Sequence, residues 1–517
     1  MIFWIGITHL LRPANRVEFL EDIMIGSKFK IEKSDVVFFV LSAVLAGGSA
    51  LAIGNLDSDI GLYGLAGLVG VAVALTMFVL PSFGANVLII AVFSNISDEL
   101  TNNGYPGIIK PLVVVVVATI VARYIYFEKA PTVRSKTVRI EAFLFLYFLV
   151  YAFSFIMAAD KTRAASVIFD VAKDIVVIYC LLYTLRSPES LKRAVWVVII
   201  VTFILALLGM YQSFTGNYNQ TFFGLAMVSL DNFSGSTTAR LGGPINAPNM
   251  WGQTVVAVIA LVFFRVIHEK RITTKLFTTL ILGVMLYTVL NTYSRGDYLA
   301  LAIVVILIFF VFEDKFSPMI AVAALGLIVL ALPFIPASYT DRFSSLLILT
   351  SGDQGGIYEE SSFRGRSSEL LTGLSMFKSS PFFGVGAGNY KYNYQKYSQL
   401  IGIEQRAEAR DPHSLYVQLL AENGILGFLA FFAVIYSVFS GLSKAKQSVD
   451  YLPALRESWT PWISSLQTSL VGYLIAATFL HGAYIRYFWI LVGLSVAVVR
   501  LTDEMIEDAN RTTLSRV

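Results

Sequence analysis

Cysteine is almost absent from this chain. Cys180 is the single one and lies inside an apolar run, so no intrachain disulfide can brace an external loop. Histidine is scarce too, with 4 in 517 residues. The segments read below as external hold no cluster of His and carboxylates at metal-ligand spacing, so no metal and no other cofactor is expected. Charge is thin: 14% of residues are Asp, Glu, Lys or Arg, against 56% hydrophobic, and the mean hydropathy is +0.69. That balance excludes an ordinary soluble globular protein. The net charge of +4 says little about partners, because its distribution over the loops matters more than its sum, and no nucleic acid is expected. A cleavable signal peptide is not expected either. The apolar start Met1 to Leu11 is short, reads as an interfacial helix, and runs into the mixed-charge stretch Arg12 to Asp35.

What is abundant is apolar runs of about 17 to 25 residues, each long enough to cross roughly 30 Å of hydrocarbon as a helix. They fall near 36–56, 60–80, 83–97, 108–127, 140–159, 165–185, 192–211, 249–266, 276–293, 297–312, 318–336, 413–440, 462–480 and 483–500. The expectation is an all-α polytopic membrane protein of about fourteen spans, or twelve if the short third run is not one. The loops EKAPTVRSKTVR, RSPESLKR, RVIHEKRITTK and SKAKQSVDYLPALRESW are rich in Lys and Arg and share one side. This positive-inside bias puts both termini in the cytoplasm. The expected organisation is a segment 1–35, a bundle 36–336 with an external loop 212–249, a large external loop 337–412, closing helices 413–500 and a cytoplasmic tail 501–517.

Within 337–412, Leu370, Leu371, Leu374 and Phe377 recur at helical spacing and predict an amphipathic helix lying on the membrane face. The GVGAG at 384–388 lacks a Gly-Lys-Ser/Thr ending and reads as a tight turn rather than a phosphate loop. Tyr390, Tyr392, Tyr394 and Tyr397 follow, with rings suited to stacking on sugars or to sitting at headgroup level.

The combination of RLGGPINAPNMWG at 240–252, SRGD at 294–297, FRGRSSELLTGLSMFKSSPFFGVGAGNY at 363–390 and PHSLYVQLLAENGILG at 412–427 resembles the O-antigen ligase/polymerase family of bacterial surface polysaccharide assembly. The order of the motifs, their side of the membrane and the position of the large loop carry the likeness. It implies a metal-independent glycosyltransferase at the outer face of the bacterial inner membrane, using glycans on undecaprenyl diphosphate. Transfer would go to another lipid-linked glycan or to lipid A core, with membrane lipids and a chain-length regulator as further partners. In the family pattern Arg240, Arg295 and His413 match two arginines and a loop-end histidine. Ser414 departs from the Asn common after that histidine.

The chemistry of the residues agrees. A lipid diphosphate is an anionic leaving group, and guanidinium binds it through charge-assisted, bidentate hydrogen bonds worth on the order of 1.5–3 kcal/mol each. An acceptor hydroxyl must lose a proton as it attacks, a task suited to the imidazole of His413. Each residue also has a plainer reading. His413 can serve as a helix-entrance hydrogen-bonding group, Arg295 as a headgroup anchor and Arg240 as half of a loop salt bridge. One of Arg364 and Arg366 is expected on phosphate, unless they pair with Glu359 or Glu360. Arg410 either lowers the pKa of His413 or is a solvated charge. Glu422 lies about 180° around the helix from His413 and should pack elsewhere. Asp170, Lys173 and Asp174 share neighbouring positions of one helix, as an interfacial self-neutralising cluster, a phosphate contact or a coupling-ion site. The last would suit a polysaccharide flippase. A transporter, however, should show duplicated halves, and no internal repeat is visible.

Overall fold

The computed structural model describes residues 70–126, 135–233, 236–311, 361–401, 410–480 and 486–514. The expected interfacial helix, the first and eleventh spans, residues 60–69 of the second and residues 337–360 of the large loop lie outside the described residues, as does the Arg364 side chain. The described residues are mostly helical, at 81%. After a short apolar helix Gly70–Val79 come α1 (Pro81–Phe93), α2 (Ile96–Asn102), α3 (Ile109–Tyr126), α4 (Ser135–Ser154), α5 (Lys161–Thr184) and α6 (Pro188–Thr215). A hairpin of β1 (Met227–Phe233) and β2 (Ser236–Gly243) leads to α7 (Pro248–His268), α8 (Ile272–Asn291) and α9 (Arg295–Val311). Beyond them are α10 (Ser361–Ser379), α11 (Tyr390–Ile401), α12 (Leu415–Asp450), α13 (Pro453–Ala476) and α14 (Arg486–Leu514).

Among the described residues, α6, α7, α8 and α12 are long and apolar enough to cross a membrane. A fifth span results if α1 and α2, bent by 54°, count together. The molecule is a helical membrane protein, and the expected twelve to fourteen spans are not reached among these residues. One reason is that charge interrupts several helices: α5 carries Asp170, Lys173 and Asp174 within one turn. The Lys173 ammonium pairs with Asp170 at 2.5 Å and lies over the Phe169 ring, while Asp174 turns inward and is buried. The third expected run also breaks, because Asn95 adopts a left-handed conformation between α1 and α2 and its side chain donates to the Pro244 carbonyl.

Helix starts follow the sequence chemistry. Asp160 caps α5 by accepting from the Arg163 amide, and Ser187 forms a reciprocal box with Ser190 just ahead of Pro188. The centre of the bundle is α7, whose residues Val255 to Leu261 are all buried against α8, α9 and α13. Burial on all sides explains why that stretch is continuously apolar rather than amphipathic.

The hairpin departs from the all-α expectation. Its strands pair antiparallel with Ser229 opposite Arg240 and an irregularity near Met227 and Val228. Alternation along β2 sends Leu241 into the core beside Gly209 of α6 and leaves Arg240 on the opposite face. The alternation in TARLGG is too short, and too rich in small residues, to be separated from a loop by period alone.

Candidate active site

The segment 361–401 is fastened to the bundle by a splice in α12. Gly424 has φ 63° and ψ −165°, which breaks the helix and releases two carbonyls and two amides. All four are satisfied by the Pro381–Gly386 loop. The Val385 and Gly386 amides donate to the Ala421 and Glu422 carbonyls at 2.8 and 3.0 Å, while the Ile425 and Leu426 amides donate to Pro381 and Phe382 at 2.8 and 3.3 Å. Glycine is required where the two backbones meet. A Cβ on Gly384 would stand 2.3 Å from the Glu422 carbonyl carbon, and one on Gly424 would stand 2.4 Å from that of Phe382. The GVGAG stretch is thus a turn, as its sequence indicates. Asn389 then ties the same loop to the start of α5, accepting from the Asp160 amide at 2.7 Å and donating to its carbonyl at 3.1 Å.

This splice sets α10 against the entrance of α12, where the structure gathers one of its closest charge clusters. Glu369 of α10 is 1% exposed and holds two side chains, the Arg410 guanidinium and the His413 imidazole. One carboxylate oxygen accepts from Arg410 at 3.0 Å, and the other lies 2.6 Å from Nδ1 of His413. A carboxylate only accepts, so Nδ1 carries the proton of that bond and Nε2 is left as the basic nitrogen. The Tyr390 hydroxyl donates to the Glu369 carbonyl at 2.5 Å. Burial raises the Tyr390 phenol above its ordinary range, with Glu369 adding to the effect, so it stays a proton donor in alkaline solution. Glu422 packs elsewhere, accepting from the Tyr390 amide at 3.1 Å.

Two expectations change here. The buried face of α10 is its polar one, with Ser368, Glu369, Thr372 and Met376 against α12, and Leu370 and Leu371 are the exposed residues. The helix buries a carboxylate because the carboxylate has partners there. Of the tyrosines, Tyr390 and Tyr394 are buried core residues and Tyr397 bonds Ser379, which leaves Tyr392 as the exposed ring. Three of the four are therefore not a sugar platform. Arg410 reaches His413 through Glu369 rather than along a helix, because α12 begins only at Leu415.

A second cluster lies at the head of α7 and α9. The Arg240 Nε donates to the Thr292 carbonyl at 2.8 Å, and its Nη2 donates to the Asn249 side-chain oxygen at 2.5 Å. Asn249 stands just inside the N-terminus of α7, where Pro248 supplies the fixed first-turn backbone. Arg295 opens α9, and Gly296 beside it packs on Phe479. Asp297, fully buried, lies against Gly252, where an added Cβ would be 2.2 Å from its Oδ2. The charges of Arg240 and of Arg366, on α10, both act on Asp297. Arg366 and Glu369 are one turn apart, so α10 spans from the arginine cluster to the histidine. Sequence reasoning missed Glu369, Asn249 and Asp297. Of these only Asp297, an acid at the head of an apolar run, carried a local signal.

This arrangement offers a carboxylate-oriented imidazole beside a group of guanidinium side chains, which is suited to deprotonating a hydroxyl next to an anionic leaving group. No curated protein matches the chain. A family model described as O-antigen ligase matches residues 280–432, which contain Arg295, Glu369 and His413. That match supports the resemblance to the O-antigen ligase/polymerase family, an enzyme family of ligases and polymerases, over this segment of the chain.

Proposed function

We propose that this protein is a metal-independent glycosyltransferase that transfers or polymerises glycan repeat units from an undecaprenyl-diphosphate donor at the outer face of the bacterial inner membrane. The observation that carries the reading is the Glu369 bridge between Arg410 and His413, on the helix that also presents Arg366 to the Arg240–Asp297 cluster. In the reaction, Nε2 of His413 takes the proton of the acceptor hydroxyl. The oxygen bonds the anomeric carbon while the bond from that carbon to the phosphate oxygen breaks. The lipid diphosphate leaves with the electron pair, and Arg240, Arg295 and Arg366 receive its charge. Glu369 holds the imidazole tautomer and stabilises the imidazolium that forms, and Arg410 fixes the other oxygen of Glu369.

Arg364 joins the phosphate group in this proposal on its sequence position alone. The external segment is long enough to hold a growing glycan, which favours polymerisation, with transfer to lipid A core as the alternative. Reconstitution with a defined lipid-linked oligosaccharide tests both. A longer glycan on the same lipid identifies a polymerase, and movement onto lipid A core identifies a ligase. Absence of either product, in a preparation that binds the donor, defeats the proposal. Turnover should survive excess EDTA, and inhibition that Mg²⁺ or Mn²⁺ restores would defeat its metal-free part.

A further inference from the structure

At the end of the bundle opposite His413, the last turn of α7 and the first turns of α6 and α13 bring two cations and two indoles together. Arg265 is 7% exposed, and its guanidinium stacks on the Trp462 ring 3.5 Å from the centroid. The Lys192 ammonium lies over the same ring at 5.9 Å and over Trp459 at 5.8 Å. Trp459 is fixed from behind by its indole N–H donating to Thr502 of α14 at 2.8 Å. The pair of rings is therefore a built wall rather than a loose surface.

Stacking occupies the face of the Arg265 guanidinium and leaves its in-plane donors to be met by something else. Among the described residues nothing meets them, since Nε and Nη2 are both buried without a hydrogen-bond partner. Both are closed off from bulk water, so solvent does not supply the missing acceptors. These two nitrogens form one edge of the guanidinium, the parallel fork that grips two oxygens of a single oxyanion. The carboxylates that act on the two cations, Glu269 on Arg265 and Glu189 on Lys192, act through space, and neither forms an ion pair with them among the described residues. Lys270, the next cation on this rim, is already taken by Glu457 at 2.8 Å. Two like charges drawn together around a shared ring, with orphan donors between helices, are costly unless an anion joins them.

We infer that Arg265 and Lys192, walled by Trp459 and Trp462, form a binding site for a phosphate oxyanion at the membrane surface opposite the Glu369–His413 pair. The positive-inside loops mark that surface as cytoplasmic, and basic pockets between helices there suit the phosphodiester headgroup of an anionic phospholipid. The fork of Arg265 takes two phosphate oxygens, Lys192 adds a point charge, and the indoles contact the adjoining glycerol and acyl region.

The test uses the full-length protein in nanodiscs of pure phosphatidylcholine or of phosphatidylcholine with phosphatidylglycerol, and in detergent with inorganic phosphate. Retained lipid is counted by native mass spectrometry and protection is read as the thermal unfolding midpoint. Wild-type protein should retain phosphatidylglycerol over phosphatidylcholine. Lys192→Gln and Arg265→Lys should each weaken that preference about tenfold, the loss of one charge-assisted contact or of the fork. Protection by inorganic phosphate that Lys192→Gln removes, without any lipid preference, assigns the same site to a soluble phosphate. Equal retention of the two lipids with no protection by phosphate overturns the inference, as does a preference unchanged in both variants. If Arg265→Lys fails to give a monodisperse protein, the half-buried Lys192→Gln decides alone.

Discussion

Glu369 and Asp297 are both carboxylates shut away from water at one end of the same bundle, and the fold treats them in opposite ways. Glu369, 1% exposed, has a partner on each oxygen, Arg410 on one and the His413 imidazole on the other. Asp297, 0% exposed, has Ser294 beside it as its hydrogen-bonding neighbour, and the charges of Arg240 and Arg366 act on it. A buried acid with a partner on each oxygen is held in one geometry. In the proposed mechanism the difference divides the labour: Glu369 orients the base, and Asp297 sits beside the arginines that receive the leaving diphosphate.

The largest effect should follow from removing the oriented base. His413→Ala is expected to lower transfer by about 10² to 10⁴-fold while donor binding persists. Glu369→Gln, which keeps shape but donates where a carboxylate accepts, should fall in the same range because it stabilises the wrong tautomer. Turnover of reconstituted protein with a lipid-linked oligosaccharide measures both. Near-normal rates in Glu369→Gln would reduce the pairing to a structural salt bridge.

Next come the arginines. Lysine at position 240 keeps charge but loses the rigid guanidinium edge that bonds Thr292 and Asn249, so Arg240→Lys should lose about 10-fold or more, mainly in KM for the donor. Arg295→Lys should behave likewise. Full activity in both would leave these residues as anchors of the loop.

How much of this could be read from the sequence depends on whether a residue acts through its neighbours or through the fold. His413, Arg240 and Arg295 stand in short polar segments against apolar runs, where their chemistry is visible locally. The turn at GVGAG was legible for the same reason, since glycines mark backbone that side chains would block. Glu369 was not. It is 44 residues from His413, in a helix whose apolar spacing pointed to the opposite face, and only the splice at Gly424 brings the two together. That splice looks in sequence like an ordinary glycine within an apolar helix. The hairpin was hidden because β2 is short and its key side chain is polar.

The splice makes a prediction of intermediate size that touches no charge. Gly424→Ala places a Cβ in positive-φ backbone that is essentially glycine's own, at about 1–3 kcal/mol, and against the Phe382 carbonyl as well. The thermal midpoint should fall, and transfer should fall with it because α10 is no longer held at His413. Loss of transfer without loss of stability would show that the splice moves during turnover rather than serving as a fixed brace.

The smallest effect is the sharpest test of the comparison. Asp297→Asn preserves shape and leaves Arg240 with its two acceptors on Thr292 and Asn249. Transfer should therefore change by only a few-fold, carried in donor KM because the clamp's field is altered and the base is not. Gly252→Ala, which pushes a methyl group into the same carboxylate, should cost more than Asp297→Asn because it displaces the side chain instead of neutralising it. If Asp297→Asn instead matches Glu369→Gln, with kcat falling and KM unchanged, Asp297 belongs to the proton-transfer machinery and the division between the two carboxylates is wrong.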